Sequence, residues 1–309
     1  MAVSTARALT VSTARALTVP IARALTVLNL PALRTRRTRI GLLNAAPVTV
    51  FLLVLFAYPV IGTLWLSLQS DTGGLTLSWY GQALSGGNLD VLLATLRISA
   101  ETALISLVVG FVLANAVSRM RPFLAGLVML VVIVPHFISA LVRTYGWIIL
   151  LGDHGFVNTI LTDLRVPGAP FQLLYNETGV LIGMVAVMLP YTVLLLYGTM
   201  RGVDRRLMAA AASMGAGRLV IFRRIYLPLV APGLASAGLL TFILSLGYYL
   251  TPALMGGLKQ TMVATLIDGE VMKEAHWNLA AALGVILLLF TFAGLLLVQA
   301  IRRMRRTGS

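Results

Sequence analysis

Six stretches of this chain contain no Asp, Glu, Lys or Arg: residues 41–70, 102–118, 122–142, 178–200, 225–258 and 275–301. Crossing a bilayer as a helix takes ~20 mainly apolar residues. Runs of this length are the sequence signal of membrane spans rather than of a buried core. Run 102–118 is short, and residues 98–100 extend it across Glu101. Run 225–258 is too long for one crossing, and its first part, through Pro228, reads as the end of a polar segment. Only 11% of residues are charged, and the mean hydropathy is +0.93. The expected fold is therefore all-α: a polytopic membrane protein with six transmembrane helices.

The charges that do occur set an orientation. Of the 24 Lys and Arg residues, 19 fall before run one, between runs two and three, between runs four and five, or after run six. All four positions lie on one side if every run spans. Of the acids, only Asp204 shares that side. The positive-inside rule places these segments, and both termini, in the cytoplasm. The net charge of +14 thus reflects topology and not a nucleic-acid surface. The other loops, 71–96, roughly 153–177, and 259–274, are too short for a folded outer domain. The first 40 residues differ in kind. Ser-Thr-Ala-Arg-Ala-Leu-Thr-Val occurs at 4–11 and 12–19, with a degenerate copy at 20–27. The unit is too short for a solenoid, and a disordered basic tail is expected over 1–40. The transmembrane domain is expected over 41–303, and a short tail over 304–309.

The absence of cysteine excludes disulfides, thiolate metal sites and a cysteine nucleophile. His136, His154 and His276 are scattered, so no metal site is expected. No G-x4-G-K-[ST] phosphate loop occurs, so ATP hydrolysis is not expected in this chain.

The segment 201–228 carries the chemistry. Asp204 is placed to cap a first helix, and Ala209, Ala210, Ala211 and Ala212 give it a slim, strongly helical surface. Gly215, Ala216 and Gly217 break it with a tight turn. A second short helix is expected, with Leu219, Phe222 and Ile225 at helical spacing, and Pro228 suits the start of the next. The segment reads as a small helix–turn–helix at the cytoplasmic face.

This segment resembles the cytoplasmic loop of binding-protein-dependent importer permeases, E-A-A-x3-G-x9-I-x-L-P. Ala210, Ala211, Gly215, Ile225, Leu227 and Pro228 match in register, and Ala209 stands where the motif has glutamate. Over 41–303 the chain is similar to the spermidine/putrescine branch, notably at 135–147, 155–158 and 249–257. The resemblance implies a type I ABC importer permease in a bacterial inner membrane. The loop would be a coupling helix docked on an ABC ATPase dimer, which would hold the ATP and Mg. A second homologous permease and a periplasmic substrate-binding protein would complete the importer. The cargo implied is a polyamine-like small solute.

Several polar residues are candidates for the substrate pathway. Glu101 either lines a cationic path or sits at the outer interface, paired with Arg97 one helical turn away. Arg143, beside Tyr145 and Trp147, either faces the cavity or anchors at the interface. Tyr248, Tyr249 and Thr251, near Pro252, resemble the stretch that faces the pathway in the family, and their π faces suit a cationic amine. A secondary transporter or channel subunit is the alternative. It would show repeated halves or mid-span ion relays, and neither stands out here.

Topology gives the first test. Reporter fusions within 201–206 and after Arg303 are expected to report cytoplasm, and a periplasmic signal at either place overturns the six-span arrangement.

Overall fold

A computed structural model describes residues 36–70 and 73–307. The repeat-bearing tail and the arginines up to Arg34 lie outside the described residues. Among those described there is no β-strand, only an isolated bridge between Gln69 and Leu75. The chain divides into two units, 1–62 and 63–309. In the first, the described residues are helical and belong to α1 (Arg36–Leu68). No residue of 45–62 is buried. An apolar surface of this length is stable only against lipid or another subunit.

Among its described residues the second unit takes in the last turns of α1 and eleven further helices. They are α2 (Ser78–Ala83), α3 (Gly86–Arg119), α4 (Pro122–Ile133), α5 (Ala140–Leu151), α6 (Phe156–Asp163) and α7 (Glu177–Arg201). There follow α8 (Arg205–Ser213), α9 (Arg218–Leu246), α10 (Leu250–Met255), α11 (Val263–Met272) and α12 (Trp277–Thr307). Its centre is the parallel pair α3 and α7, against which α9 packs. Ala114, Val117, Val193, Leu196, Val230 and Ala237 form a buried seam between these three helices. Lipid tails are as apolar as the side chains, so burial alone gives little reason for the helices to associate. Close approach and interhelical hydrogen bonds supply it. At Gly233 an added Cβ would lie 2.4–2.7 Å from Thr199 side-chain atoms, so only hydrogen fits there. Thr192 and Thr241 share a buried hydroxyl–hydroxyl hydrogen bond of 2.8 Å across α7 and α9.

Two contacts fix which ends of α3 and α7 meet. Arg97 forms an ion pair with Glu177 at one end, here called the acidic end. Arg205, just beyond α7, donates to the Ser118 carbonyl at the other, basic, end. The chain leaves α3 at the basic end and enters α7 at the acidic end, so 120–176 makes one net passage. It does so by a broken path. Run 122–142 is not one straight helix: α4 ends at Ile133, a 3-10 turn covers Val134–Phe137, and α5 departs at 105°. Pro135 is the cause, since it has no N–H to donate to a preceding carbonyl. Helix plus 3-10 turn still rises ~26 Å, close to the ~30 Å hydrocarbon thickness. Among the described residues five helices are long and apolar enough to cross alone, and the count reaches six when the bent pair is taken as one span.

The structure corrects three other expectations. Loop 71–96 is partly helical, because α3 begins at Gly86, well before residue 98. Loops 153–177 and 259–274 carry α6 and α11. The helix expected after Gly217 does not stop before Pro228 but continues as α9. Residues Phe222–Tyr226 adopt π geometry, with the Leu227 N–H donating to the Phe222 carbonyl five residues back. The wider turn lets the helix pass through a proline that cannot complete an ordinary ladder.

The Gly233 contact is testable. Gly233→Val is expected to destabilise the purified chain by ~1–3 kcal/mol through overpacking, read as a lower thermal unfolding midpoint in detergent. An unchanged midpoint would mean that α7 and α9 are not held at this distance.

Candidate functional site

The corner in span three opens two cavities. The larger, about 640 Å³, lies between α3, α4, α5 and α7, with Ile105, Val131, Pro135, Trp147, Leu181 and Pro190 on its walls. The smaller, about 280 Å³, lies between the corner, α7 and the end of α9, lined in part by Ile138, Met188, Leu244 and Tyr248. His136 and Arg143 line both. Both cavities are mainly apolar with a few polar groups, the usual composition of a small-solute site.

These polar groups are only partly satisfied. Arg143 Nη1 donates to the Pro135 carbonyl at 3.2 Å, across the corner. His136 Nε2 and the Tyr191 hydroxyl lie 2.8 Å apart, with their rings edge to face. His136 Nδ1, Arg143 Nε and the Tyr248 hydroxyl are buried without a hydrogen-bond partner among the described residues. Buried polar atoms are normally paired. Three unpaired ones around one cavity give it a capacity to hold a polar guest.

The seven pathway candidates separate. Arg143 and Trp147 line the larger cavity, and Arg143 and Tyr248 the smaller. Tyr145 is half exposed and lines neither. Thr251 is buried, its methyl where a Cβ on Gly183 would fall, so it packs α10 against α7. Tyr249 donates to Asp268 at 3.1 Å. That hydrogen bond to the carboxylate holds the Tyr249 phenol above its usual value. Glu101 sits 3.9 Å from Arg97, as its spacing implied, but Arg97 also pairs with Glu177, 80 residues away. Glu101 is one helical turn from Ile105 and Glu177 precedes Thr178, and both of these neighbours line the larger cavity. The ion trio therefore stands at the rim, with two carboxylates to one guanidinium.

His136 and Tyr191 were missed by sequence reasoning. His136 was legible as one of three scattered histidines and as part of the stretch 135–147, with no role attached, and Tyr191 lies in an uncharged run. The available signal was the pair of prolines beside them, Pro135 and Pro190. Asn158 was quoted only for resemblance. It is buried and ties the loop together, donating to the Gly152 and Phe171 carbonyls and accepting from the Phe171 N–H.

At the basic end, Asp204 caps α8 by accepting from the Arg206 N–H at 2.9 Å. Ala211 is buried, while Ala209 and Ala210 are exposed. Gly215 has φ of +84°, and an added Cβ would meet nothing within 4 Å. The turn thus needs glycine for its left-handed backbone rather than for space. Gly217 is extended, at the start of α9. Arg205, and the Tyr226 hydroxyl donating to Asn115 Oδ1 at 3.0 Å, fasten the loop's two ends to α3. What remains is a short helix and turn presented at one end of the bundle.

Residues 106–307 match the family model of the binding-protein-dependent transport system inner membrane component. The chain belongs to this permease family. The spermidine/putrescine transport system permease protein PotB of Escherichia coli is 30% identical to it over 243 residues, 76% of this chain and 88% of that protein. PotB of Haemophilus influenzae is 32% identical over 191 residues, 62% of this chain and 67% of that protein. In fold, the permease is similar to a chain of a bacterial ABC transporter involved in the import of the acidic polysaccharide alginate. The TM-score is 0.67 at 19% identity, covering 87% of this chain and 96% of that one. The protein is thus a multi-pass permease subunit of an ABC importer, with the type I permease fold, and the channel or secondary-transporter alternative falls away.

Arg143 provides the test of the corner. Arg143→Ala removes the charge-assisted hydrogen bond to the Pro135 carbonyl, which keeps the Ile138 N–H, and is expected to cost the permease ~1–3 kcal/mol. Tyr145→Ala, two residues away and half exposed, is expected to stay within ~0.5 kcal/mol. Equal thermal midpoints for the two variants would remove Arg143 from the role of brace.

Proposed function

We propose that this permease conducts a small organic cation of the polyamine class, and that segment 201–228 couples the passage to ATP hydrolysis on a separate subunit. The observation that carries the reading is the similarity to PotB over three quarters of the chain. Three features of the site support it. Two carboxylates share one guanidinium at the cavity rim and leave net negative charge there. Trp147 and Tyr248 offer π faces on the walls. The Arg143 guanidinium is spent in part on the Pro135 carbonyl, which ties its charge to the corner.

In this reading the basic end of the bundle is cytoplasmic, with both termini. The transmembrane domain spans 41–303, and tails 1–40 and 304–309 flank it. A periplasmic binding protein delivers solute to the acidic end. The second permease is an unlike homologue that covers the exposed apolar surfaces, and ATP and Mg are held by an ATPase dimer below the loop. Ala209, Ala210, Ala211, Gly215, Ala216, Gly217, Ile225, Leu227 and Pro228 form or support the docking element.

The motif's glutamate is absent, so docking rests on shape. Asp204 does not replace it: it is ~140° away around the helix and occupied as a cap. One exposed ion pair would have added only ~0–1 kcal/mol. The turn at Gly215 matters more, because a side chain there costs ~1–2 kcal/mol of backbone strain and adds bulk on the presented surface.

The test is reconstitution of the importer in proteoliposomes, reading substrate-stimulated ATP hydrolysis. Spermidine is expected to stimulate it, Gly215→Leu to abolish the stimulation while the chain still inserts, and Ala209→Glu to change it little. Stimulation intact in Gly215→Leu removes the loop from coupling. A many-fold rise in Ala209→Glu shows that docking depends on charge. Stimulation by a sugar and by no amine removes the polyamine cargo.

A further inference from the structure

A third cavity, of about 300 Å³, lies at the basic end, between the end of α3, the end of α7 and the base of α8, with Arg119, Arg205, Asn115 and Tyr226 on its walls. Its two arginines are neither neutralised nor fully used. Arg205 Nη2 donates to the Ser118 carbonyl, and Arg119 Nε donates to Asn115 Oδ1 at 3.3 Å. Asn115 Oδ1 also accepts from the Tyr226 hydroxyl, which fills its two lone pairs. A guanidinium has five N–H donors, so most remain available. Among the described residues the ion pairs all lie at the acidic end, between Arg97 and Glu101, Arg97 and Glu177, and His276 and Glu270. No carboxylate of the described residues forms an ion pair with Arg119 or Arg205. Asp204, the single acid of 201–228, is spent on the α8 cap. The C-termini of α3 and α7 each offer roughly half a negative charge, together less than the two full positive ones.

We propose that this cavity binds the phosphate of an anionic phospholipid headgroup. Paired guanidiniums match phosphate oxygens in a bidentate fork. Basic pockets between membrane helices near the cytoplasmic surface are suited to such headgroups. The acyl chains have a surface close at hand in sequence. Two residues after Arg119 the chain enters α4, where Phe123, Leu127 and Leu130 are 81%, 51% and 58% exposed. Their spacing of four and three residues aligns them in one stripe. A free phosphate would use the same donors but not this stripe. The site is independent of the cargo and of the coupling reading.

The test is native mass spectrometry of the full chain in detergent, titrated with phosphatidylglycerol, phosphatidylcholine or inorganic phosphate. Phosphatidylglycerol is expected to bind ~10-fold or more tighter than phosphatidylcholine, by the charge attraction of two arginines. The paired variant Arg119→Gln with Arg205→Gln is expected to abolish the difference. The paired variant Arg223→Gln with Arg224→Gln, which removes the same charge from the same end outside the cavity, is expected to keep it. Arg119→Gln alone leaves the Arg205–Ser118 contact intact and is expected to shrink the difference, which serves if the double variant fails to insert. Equal loss in both paired variants would mean diffuse surface charge and overturn the site. Saturation by inorganic phosphate, with no preference between the lipids, would assign the cavity to free phosphate and overturn the lipid.

Discussion

A backbone within lipid must satisfy its own hydrogen bonds, and the departures from a straight helix at Pro135 and Pro228 meet that demand in different ways. At Pro135 the helix tightens into a 3-10 turn, and the Pro135 carbonyl accepts from both the Ile138 N–H and the Arg143 guanidinium. At Pro228 the ladder survives by widening to π geometry. Between α7 and α9 the register is fixed by the close approach at Gly233 and Thr199 and by the hydroxyl pair of Thr192 and Thr241. The parallel pair α3 and α7, clamped at its ends by Arg97–Glu177 and Arg205–Ser118, is the frame on which these local solutions sit.

Much of this was legible in the sequence because lipid leaves so few options. Uncharged runs coincide with the long apolar helices, and the two end contacts show that α3 and α7 run the same way, as the second and fourth of six alternating spans would. The motif from Ala210 to Pro228 was legible because a turn needing φ of +84° admits few residues besides glycine. Helix breaks were harder to read. Pro135, Pro190 and Pro232 all stand in uncharged runs, yet α7 and α9 absorb theirs and only span three turns a corner. The difference lies in neighbouring helices that composition does not display. Charged residues also misled where they were helical: Asp90, Arg97 and Glu101 interrupt hydropathy, and α3 nonetheless starts at Gly86.

The site was legible in its residue types but not in its grouping. Arg143, Trp147 and Tyr248 were singled out and do line cavities. Thr251 and Tyr249 belong to packing and to the acidic end instead. Partners such as Arg97 and Glu177, or His136 and Tyr191, are 80 and 55 positions apart, a distance at which periodicity carries no information. The corner that assembles them gathers His136, Arg143 and Tyr191 in one place, so the same proline that breaks the span also creates the polar surroundings of both cavities.

The unbroken course of α9 has a mechanical consequence. From Arg218 to Leu246 it is 29 residues long, a rod of ~44 Å at 1.5 Å per residue. One tip adjoins the Gly215 turn, and the other ends beside Tyr248 at the smaller cavity. A rod of that length is a lever. A tilt of ~10° about its midpoint carries each tip ~4 Å, in opposite directions. Such a stroke is comparable to the dimensions of a 280 Å³ cavity, so a modest push at one tip reshapes the space at the other without unfolding a turn of helix in between.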